Sequence, residues 1–174
     1  MTGPGHTRPE PLKRTAMQLP HICPVALLAL TLLSCSETAP QPPSPSADLS
    51  PREVVETVLT ALRTNDDPVE DAGIATAYAF AAPGNRAQTG PLPRFTAMVR
   101  HGYAPLLNHR TSEIGPPVTA EGRRMFPVRV YPAEGAVRLY LFVLAQSDQA
   151  SCQGCWLTEA VIDRSDQLPP EVAA

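Results

Sequence analysis

The hydrophobic pattern of this chain changes period in its second half, and that change limits the fold more than any other feature. In the first half, Val54, Val55, Val58, Leu59 and Leu62 recur at helical spacing, and Phe95, Met98 and Val99 do so again. Apolar residues three and four apart form one face of a helix. In the second half, Met125-Phe-Pro-Val-Arg-Val-Tyr131 alternates in its last part, which predicts a strand. Pro132-Ala-Glu-Gly135 is a turn signal. Val137 to Ala145 is a strongly apolar run, expected as a strand covered on both faces. Trp156 to Ile162 is expected as the last strand, and a further one is expected near Ser112. Helices followed by an antiparallel meander predict an α+β domain.

Local signals set the boundaries. Ser50-Pro51-Arg52-Glu53 offers an N-cap serine, a proline at the first helical position and a glutamate closing a capping box, with Leu49 and Val54 as a hydrophobic staple. The first helix should fade at Asn65-Asp66. A second start lies at Asp66-Asp67-Pro68, with Asp66 or Asp67 as N-cap, and a helix through Ala72–Phe80 stopped by Pro83-Gly84. Asn85 to Pro93 is expected as a loop. A third helix runs from Arg94 to His101 with Gly102 as its stop. A short helical turn is expected over Pro105–Asn108, and a loop over Ser147–Gly154.

The N-terminus reads as an address. A polar segment carrying Arg8, Lys13 and Arg14 precedes the apolar stretch Ile22 to Leu33, which is too short to span a bilayer comfortably. Leu32-Leu33-Ser34-Cys35 closes it and resembles the lipobox of bacterial lipoproteins. The resemblance implies a signal peptide over residues 1–34, with Cys23 inside it, and a lipid on Cys35 as the membrane anchor. Ser36, at the next position, is not the aspartate that retains some lipoproteins in the inner membrane. An outer-membrane location facing the periplasm is therefore expected if the host is Gram-negative. An ordinary secretory signal, or a short anchor with Cys35 uncut, is the alternative. Residues 35–47, rich in proline and serine, form a linker that cannot build a core. The folded domain is expected over 48–163, and a flexible tail over 164–174.

Charge excludes some partners. Beyond Cys35 there remain eleven arginines, no lysine and sixteen acids, a net of −5. That disfavours nucleic acid and anionic lipid. No apolar run reaches transmembrane length, and no heptad repeat persists. Phosphate-loop, dinucleotide, HExxH and nucleophile-elbow motifs are absent.

Several segments carry a family resemblance. They are Ala61-Leu62-x-x-Asn65-Asp66, Gly73-Ile-Ala-Thr-Ala-Tyr78-x-Phe80-x-x-Pro83-x-Asn85-Arg86, Thr89-Gly-Pro-Leu92, Arg94-Phe95-x-x-Met98-Val99, Tyr103-x-x-Leu106-Leu107-Asn108-His109 and Cys155-Trp156-Leu-Thr-Glu-x-Val161. With the order of elements, they resemble an uncharacterised bacterial and plastid family within the nuclear transport factor 2-like superfamily. The resemblance implies three helices on a curved antiparallel sheet, forming a cone that often holds a pocket. It also implies a homodimer through the open sheet face. It carries over no catalytic residue.

Candidate chemistry is sparse. Cys152-x-x-Cys155 in an exported chain is read first as a structural disulfide, then as a redox pair or as free thiols. Metal binding would need further ligands, and His101 and His109 lack ligand spacing to the cysteines. Neither metal nor cofactor is expected. Tyr78, His101, Tyr103 and His109 are candidate pocket residues, with Asp66 and Glu113 as further acid–base candidates. Each also has a plain role as core, cap or helix-end residue. Asn85, Arg86 and Arg94 are a candidate anion site, with surface solvation as the alternative. The leading expectation is a lipid-anchored, non-catalytic domain binding a partner or a small apolar ligand. A pocket enzyme of isomerase, dehydratase or hydrolase type, or a thiol–disulfide protein using Cys152 and Cys155, are the alternatives.

Overall fold

A computed structural model describes residues 41–169. The leader, Cys35, the first part of the linker and the end of the tail lie outside the described residues. Helix α1 spans Pro51–Arg63 and starts as its residues dictate: Ser50 Oγ accepts from the Glu53 amide at 3.3 Å, and the Glu53 carboxylate accepts from the Ser50 amide at 2.8 Å. Its stripe Val54, Val55, Val58, Leu59 and Leu62 is buried. Helix α2 follows over Ala72–Ala79.

The segment expected as a loop over 85–93 is helical instead. Helix α3 spans Pro83–Thr89 and α4 spans Leu92–Gly102. The prolines taken as breakers sit in the first turns of these helices. There an amide has no helical partner to lose, and the fixed φ suits the helix. Gly90, at φ 84°, supplies the break between them. Gly102 ends α4 from inside rather than lying beyond it. A 3₁₀ turn covers Ala104–Leu106.

Five antiparallel strands follow: β1 (Thr111–Ile114), β2 (Val118–Ala120), β3 (Arg123–Tyr131), β4 (Arg138–Gln146) and β5 (Trp156–Asp163). The sheet is curved and unclosed, ordered β1-β3-β4-β5, with β2 also on β3. Register shows that β1 and β2 are one interrupted edge strand, since Ile114 opposes Val128 and Val118 opposes Met125. The interruption is Gly115-Pro116-Pro117. The Gly115 amide donates to the Pro127 carbonyl at 2.8 Å. A residue's amide and carbonyl share one side of a strand, so the donor Pro127 lacks would also face this break. That is how a proline sits inside a paired strand. A side chain at 115 would meet the Pro127 ring, with Cβ 2.9 Å from its Cγ.

The helices cover one face of the sheet. Phe126, Val128 and Val130 on β3, and Tyr140, Phe142 and Leu144 on β4, are at most 2% exposed beneath Val54, Val55, Ile74, Phe95 and Val99. The other face is only partly covered, contrary to the expectation for β4: Leu139, Leu141 and Ala145 are half-buried. The start of the expected flexible tail is bonded to β4. The Arg164 amide donates to Leu139 O at 2.7 Å, and the Leu139 amide donates to Ser165 Oγ at 3.1 Å.

Asn65, 2% exposed, knots the helical layer together. Its Oδ1 accepts from the Ile74 amide at 3.0 Å, and its carbonyl accepts from the Gly73 amide at 2.9 Å. Its Nδ2 donates to Asp66 at 2.8 Å and to Asp71 at 3.2 Å. Asn108 closes the knot from the far side of the chain. Its Oδ1 accepts from the Asn65 amide at 3.0 Å, its Nδ2 donates to Asp66 at 2.9 Å, and its own amide caps Leu62 O at 2.9 Å. Arg100 grips Asp71 with two nitrogens, at 3.1 and 2.8 Å. Asp66 is thus a hub of this knot and not an N-cap; Asp71, at φ 62°, occupies the cap position of α2 and makes no side-chain cap bond. Gly73 allows the close crossing of α1 and α2, since a Cβ there would stand 2.2 Å from Ala61 O. Replacing Asn65 with alanine strands the buried Ile74 amide and removes a donor from Asp66 and Asp71, and should cost about 3 kcal/mol of unfolding free energy. Urea denaturation checks this; a loss below about 1 kcal/mol would mean that water replaces the amide.

Candidate functional site

A cavity of about 210 Å³ lies between the helices and the edge strand β5. Val58 and Leu62 of α1, Phe95, Met98 and Val99 of α4, and Phe142 of β4 give it apolar walls. Asn85, Gln88 and Thr89 of α3 form its polar part. Helix α3 is held over β5 by backbone bonds: the Thr158 amide donates to Phe80 O at 2.9 Å, and the Ala82 amide donates to Thr158 O at 2.9 Å. Asn85 Nδ2 adds a bond to the same Thr158 carbonyl at 3.1 Å.

Strand β5 carries a bulge here. Val143 opposes Ala160 while Leu144 opposes Thr158, so Glu159 is the extra residue. Thr158 keeps the register of Leu144, on the face turned to the helices. It is 5% exposed, it lines the cavity, and its hydroxyl has no hydrogen-bond partner among the described residues. Glu159 also lines the cavity, but its carboxylate accepts from Arg123 Nε at 2.5 Å. The pair holds the Arg123 guanidinium firmly protonated.

The candidate residues are dispersed. Tyr103 lines the cavity, with its hydroxyl committed to Val161 O at 2.9 Å. Tyr78 packs edge-on against Phe95 with centroids 5.2 Å apart, and lines a separate recess. His101 is exposed, its Nδ1 bonded to Ala97 O one turn back at 2.7 Å. His109 is 3% exposed, its Nδ1 donating to Leu106 O at 2.8 Å and its Nε2 buried without a partner. Glu113 pairs with Arg129 at 3.1 Å. The Asn108 amide, then the Asp71 backbone amide, hold Asp66 below the ordinary carboxylate range. Asn85, Arg86 and Arg94 do not converge: Asn85 turns to Thr158, Arg86 Nη2 donates to Ala79 O, and Arg94 lies along Gly90. Tyr140, fully buried, has an unpartnered hydroxyl whose pKa burial pushes up to about 12.

Cys152 and Cys155 form a disulfide, with Cα atoms 5.5 Å apart. Cys155 is 1% exposed and Cys152 is half-buried. Cys152 ends the 3₁₀ turn Ala150–Cys152 rather than starting a helix, so no helix N-terminus stands ready to stabilise a thiolate. Among the described residues, no group of three or more His, Cys, Asp or Glu is placed to hold a metal ion, and no helix is long and apolar enough to cross a membrane.

The Thr158 hydroxyl was not singled out by its residue type. A threonine in a strand is ordinary, and only the bulge beside it and the helix above it decide that it is buried at a cavity.

Residues 46–166 match the model of a family described as a domain of unknown function, DUF4864. No curated protein and no solved structure matches the chain.

Burial and the neighbouring Arg63 charge lower the pKa of His109, burial being the larger effect. The folded protein therefore favours neutral imidazole, while the unfolded chain titrates near the ordinary value of about 6.5. Stability is unaffected above that pH and falls as pH drops through it. Thermal melts at pH 7.5 and 5.5 should show a smaller loss of Tm in His109→Gln than in the wild type. Equal losses would place the pH sensitivity elsewhere.

Proposed function

We propose, from the premise that this chain belongs to the DUF4864 family, that it is a lipid-anchored cell-envelope protein whose domain binds a small apolar ligand without transforming it. The observation that carries this reading is the buried Thr158 hydroxyl left unpartnered at an apolar cavity. An unsatisfied buried hydroxyl costs on the order of 1–3 kcal/mol, which a ligand oxygen or nitrogen would relieve once the Thr158 side chain turns its hydroxyl, shut off from solvent in this structure, toward the ligand. A dry cavity of about 150 Å³ accepts benzene. This one therefore suits a small ring or short chain bearing one hydrogen-bonding group. Among the described residues, Glu159 is the one carboxylate lining the cavity, and it is engaged by Arg123. That supports binding over acid–base catalysis.

The helices, the curved open sheet and the cavity between them support the nuclear transport factor 2-like reading. Leu139, Leu141 and Ile162 on the less covered sheet face support a second copy as partner. The lipobox-like Leu32-Leu33-Ser34-Cys35 supports lipid on Cys35, with the proline-rich linker as spacer. It also supports attachment to the outer membrane on its periplasmic side in a Gram-negative host.

Native mass spectrometry of the protein exported and purified without reductant should find a retained small molecule, and its mass should report a dimer. Thr158→Val should reduce that retention while leaving or raising the Tm of the emptied protein by about 1 kcal/mol equivalent, because it removes an unsatisfied group. A lowered Tm would make the hydroxyl structural and remove the main support for the ligand. For the anchor, metabolic labelling with a palmitate analogue should mark the wild type and not Cys35→Ser. An unlabelled wild type would refute lipidation.

A further inference from the structure

A second recess, of about 650 Å³, lies between the α2–α3 connection and the loop that the disulfide closes. Among the described residues, Arg86 is its only charged lining residue. This side chain is half-buried, with its guanidinium carbon 5.0 Å from the centre of the Tyr78 ring. One nitrogen donates to the Ala79 carbonyl, and Nε is shut off from water with no acceptor. Arg52, Arg100, Arg123 and Arg129 each hold a carboxylate, whereas Arg86, like Arg63, Arg94, Arg110, Arg124, Arg138 and Arg164, has none within 4.0 Å among the described residues; of these seven, Arg86 alone has a guanidinium nitrogen buried without a partner. A carbonyl and an aromatic face soften the loss of water around a guanidinium but bring no net negative charge. A permanent cation drawn partly out of water calls for an anion.

The opposite wall supplies neutral donors. Ser147, Gln149 and Ser151 line the recess with Cys152. Their loop is fixed before any ligand arrives. The Ser147 amide donates to Cys155 O and the Gly154 amide to Ser147 O, both at 2.8 Å, and the Cys152–Cys155 disulfide locks the end. Charge and shape select among anions. One guanidinium balances one negative charge, and with Nε shut off it is the Nη1 and Nη2 end of the planar fork that can meet a carboxylate. The ring of Tyr78 and the side chain of Leu157 offer apolar surface beside it.

We propose that this recess binds a small organic monocarboxylate, with Arg86 receiving the carboxylate, the Ser147, Gln149 and Ser151 side chains completing its hydrogen bonds, and Tyr78 and Leu157 holding its hydrocarbon part. The site is separate from the apolar cavity and does not depend on what that cavity holds.

The test uses the full chain and two probes of like shape, benzoate and neutral benzyl alcohol, followed by the backbone amide resonances of residues 147–155. Benzoate should saturate these shifts at a concentration at least about tenfold below benzyl alcohol, the preference expected of one charge-assisted contact. Arg86→Gln should abolish the preference, while Arg94→Gln, whose side chain lies outside the recess, should keep it. Should Arg86→Gln not fold, Gln149→Glu on the exposed loop should weaken benzoate and leave benzyl alcohol unchanged. Equal binding of the two probes, a preference that survives both Arg86→Gln and Gln149→Glu, or no saturation by either probe would overturn the proposal. Tighter binding of inorganic phosphate than of benzoate would overturn the carboxylate assignment.

Discussion

The hydrogen-bonded knot around Asn65 is the constraint on which the helical layer depends. A primary amide 2% exposed has four bonding positions to satisfy away from water. Here three are met, Nδ2 donating to Asp66 and Asp71 and Oδ1 accepting from the Ile74 amide, while the Asn65 backbone amide donates to Asn108 on the approach to β1. The knot ties Leu62 and Asn65 to Gly73 and Ile74 nearby and to Asn108 some forty residues on. Arg100, through its two bonds to Asp71, adds the end of α4. With these ends fixed, the apolar stripe of α1 settles on the sheet at one angle, and α4 closes the cavity wall with Phe95 and Val99.

Two irregularities shape the sheet beneath. The Gly115-Pro116-Pro117 break splits the edge strand and absorbs the missing donor of Pro127. The bulge at Glu159 turns one residue out of register on the opposite edge. Between them, β3 and β4 pair along seven consecutive residues and, with Phe80 after α2, carry the largest buried side chains. The candidate chemistry follows these irregularities rather than the regular strands. Thr158 stands unpartnered beside the bulge, and Arg86 and the disulfide loop flank the β5 edge where α3 is bound. Polar groups without partners are affordable here only because the core around them is well packed.

Much of the architecture was legible where a local interaction suffices. Ser50, Pro51 and Glu53 define the start of α1 within four residues, and the alternation over β3 marks its buried face. Asn85 to Pro93 was misread because proline and glycine punctuate both loops and helix starts, and the difference is whether the following residues find a surface to pack on. Asp66 was misread for a similar reason. A carboxylate before a helix normally caps it, but here Asn108, distant in sequence, competes for that carboxylate and wins. The candidate pocket residues were chosen by chemical type, and type does not report direction. Tyr78 of α2 and Tyr103 at the end of α4 both pack against the core yet line different recesses.

The sequence by itself determined the start of α1, the main strands and the α+β order. These depend on residues close in the chain, where periodicity, caps and short loops act directly. Only the tertiary structure decided that Asn65 and Asn108 meet, that Thr158 faces an apolar cavity with its hydroxyl unmatched, and that Arg86 stands without a counter-charge. Each is a matter of burial and of partners brought from far along the chain. Desolvation turns an ordinary amide, hydroxyl or guanidinium into a group that must be satisfied, and it exists only once the layers have closed.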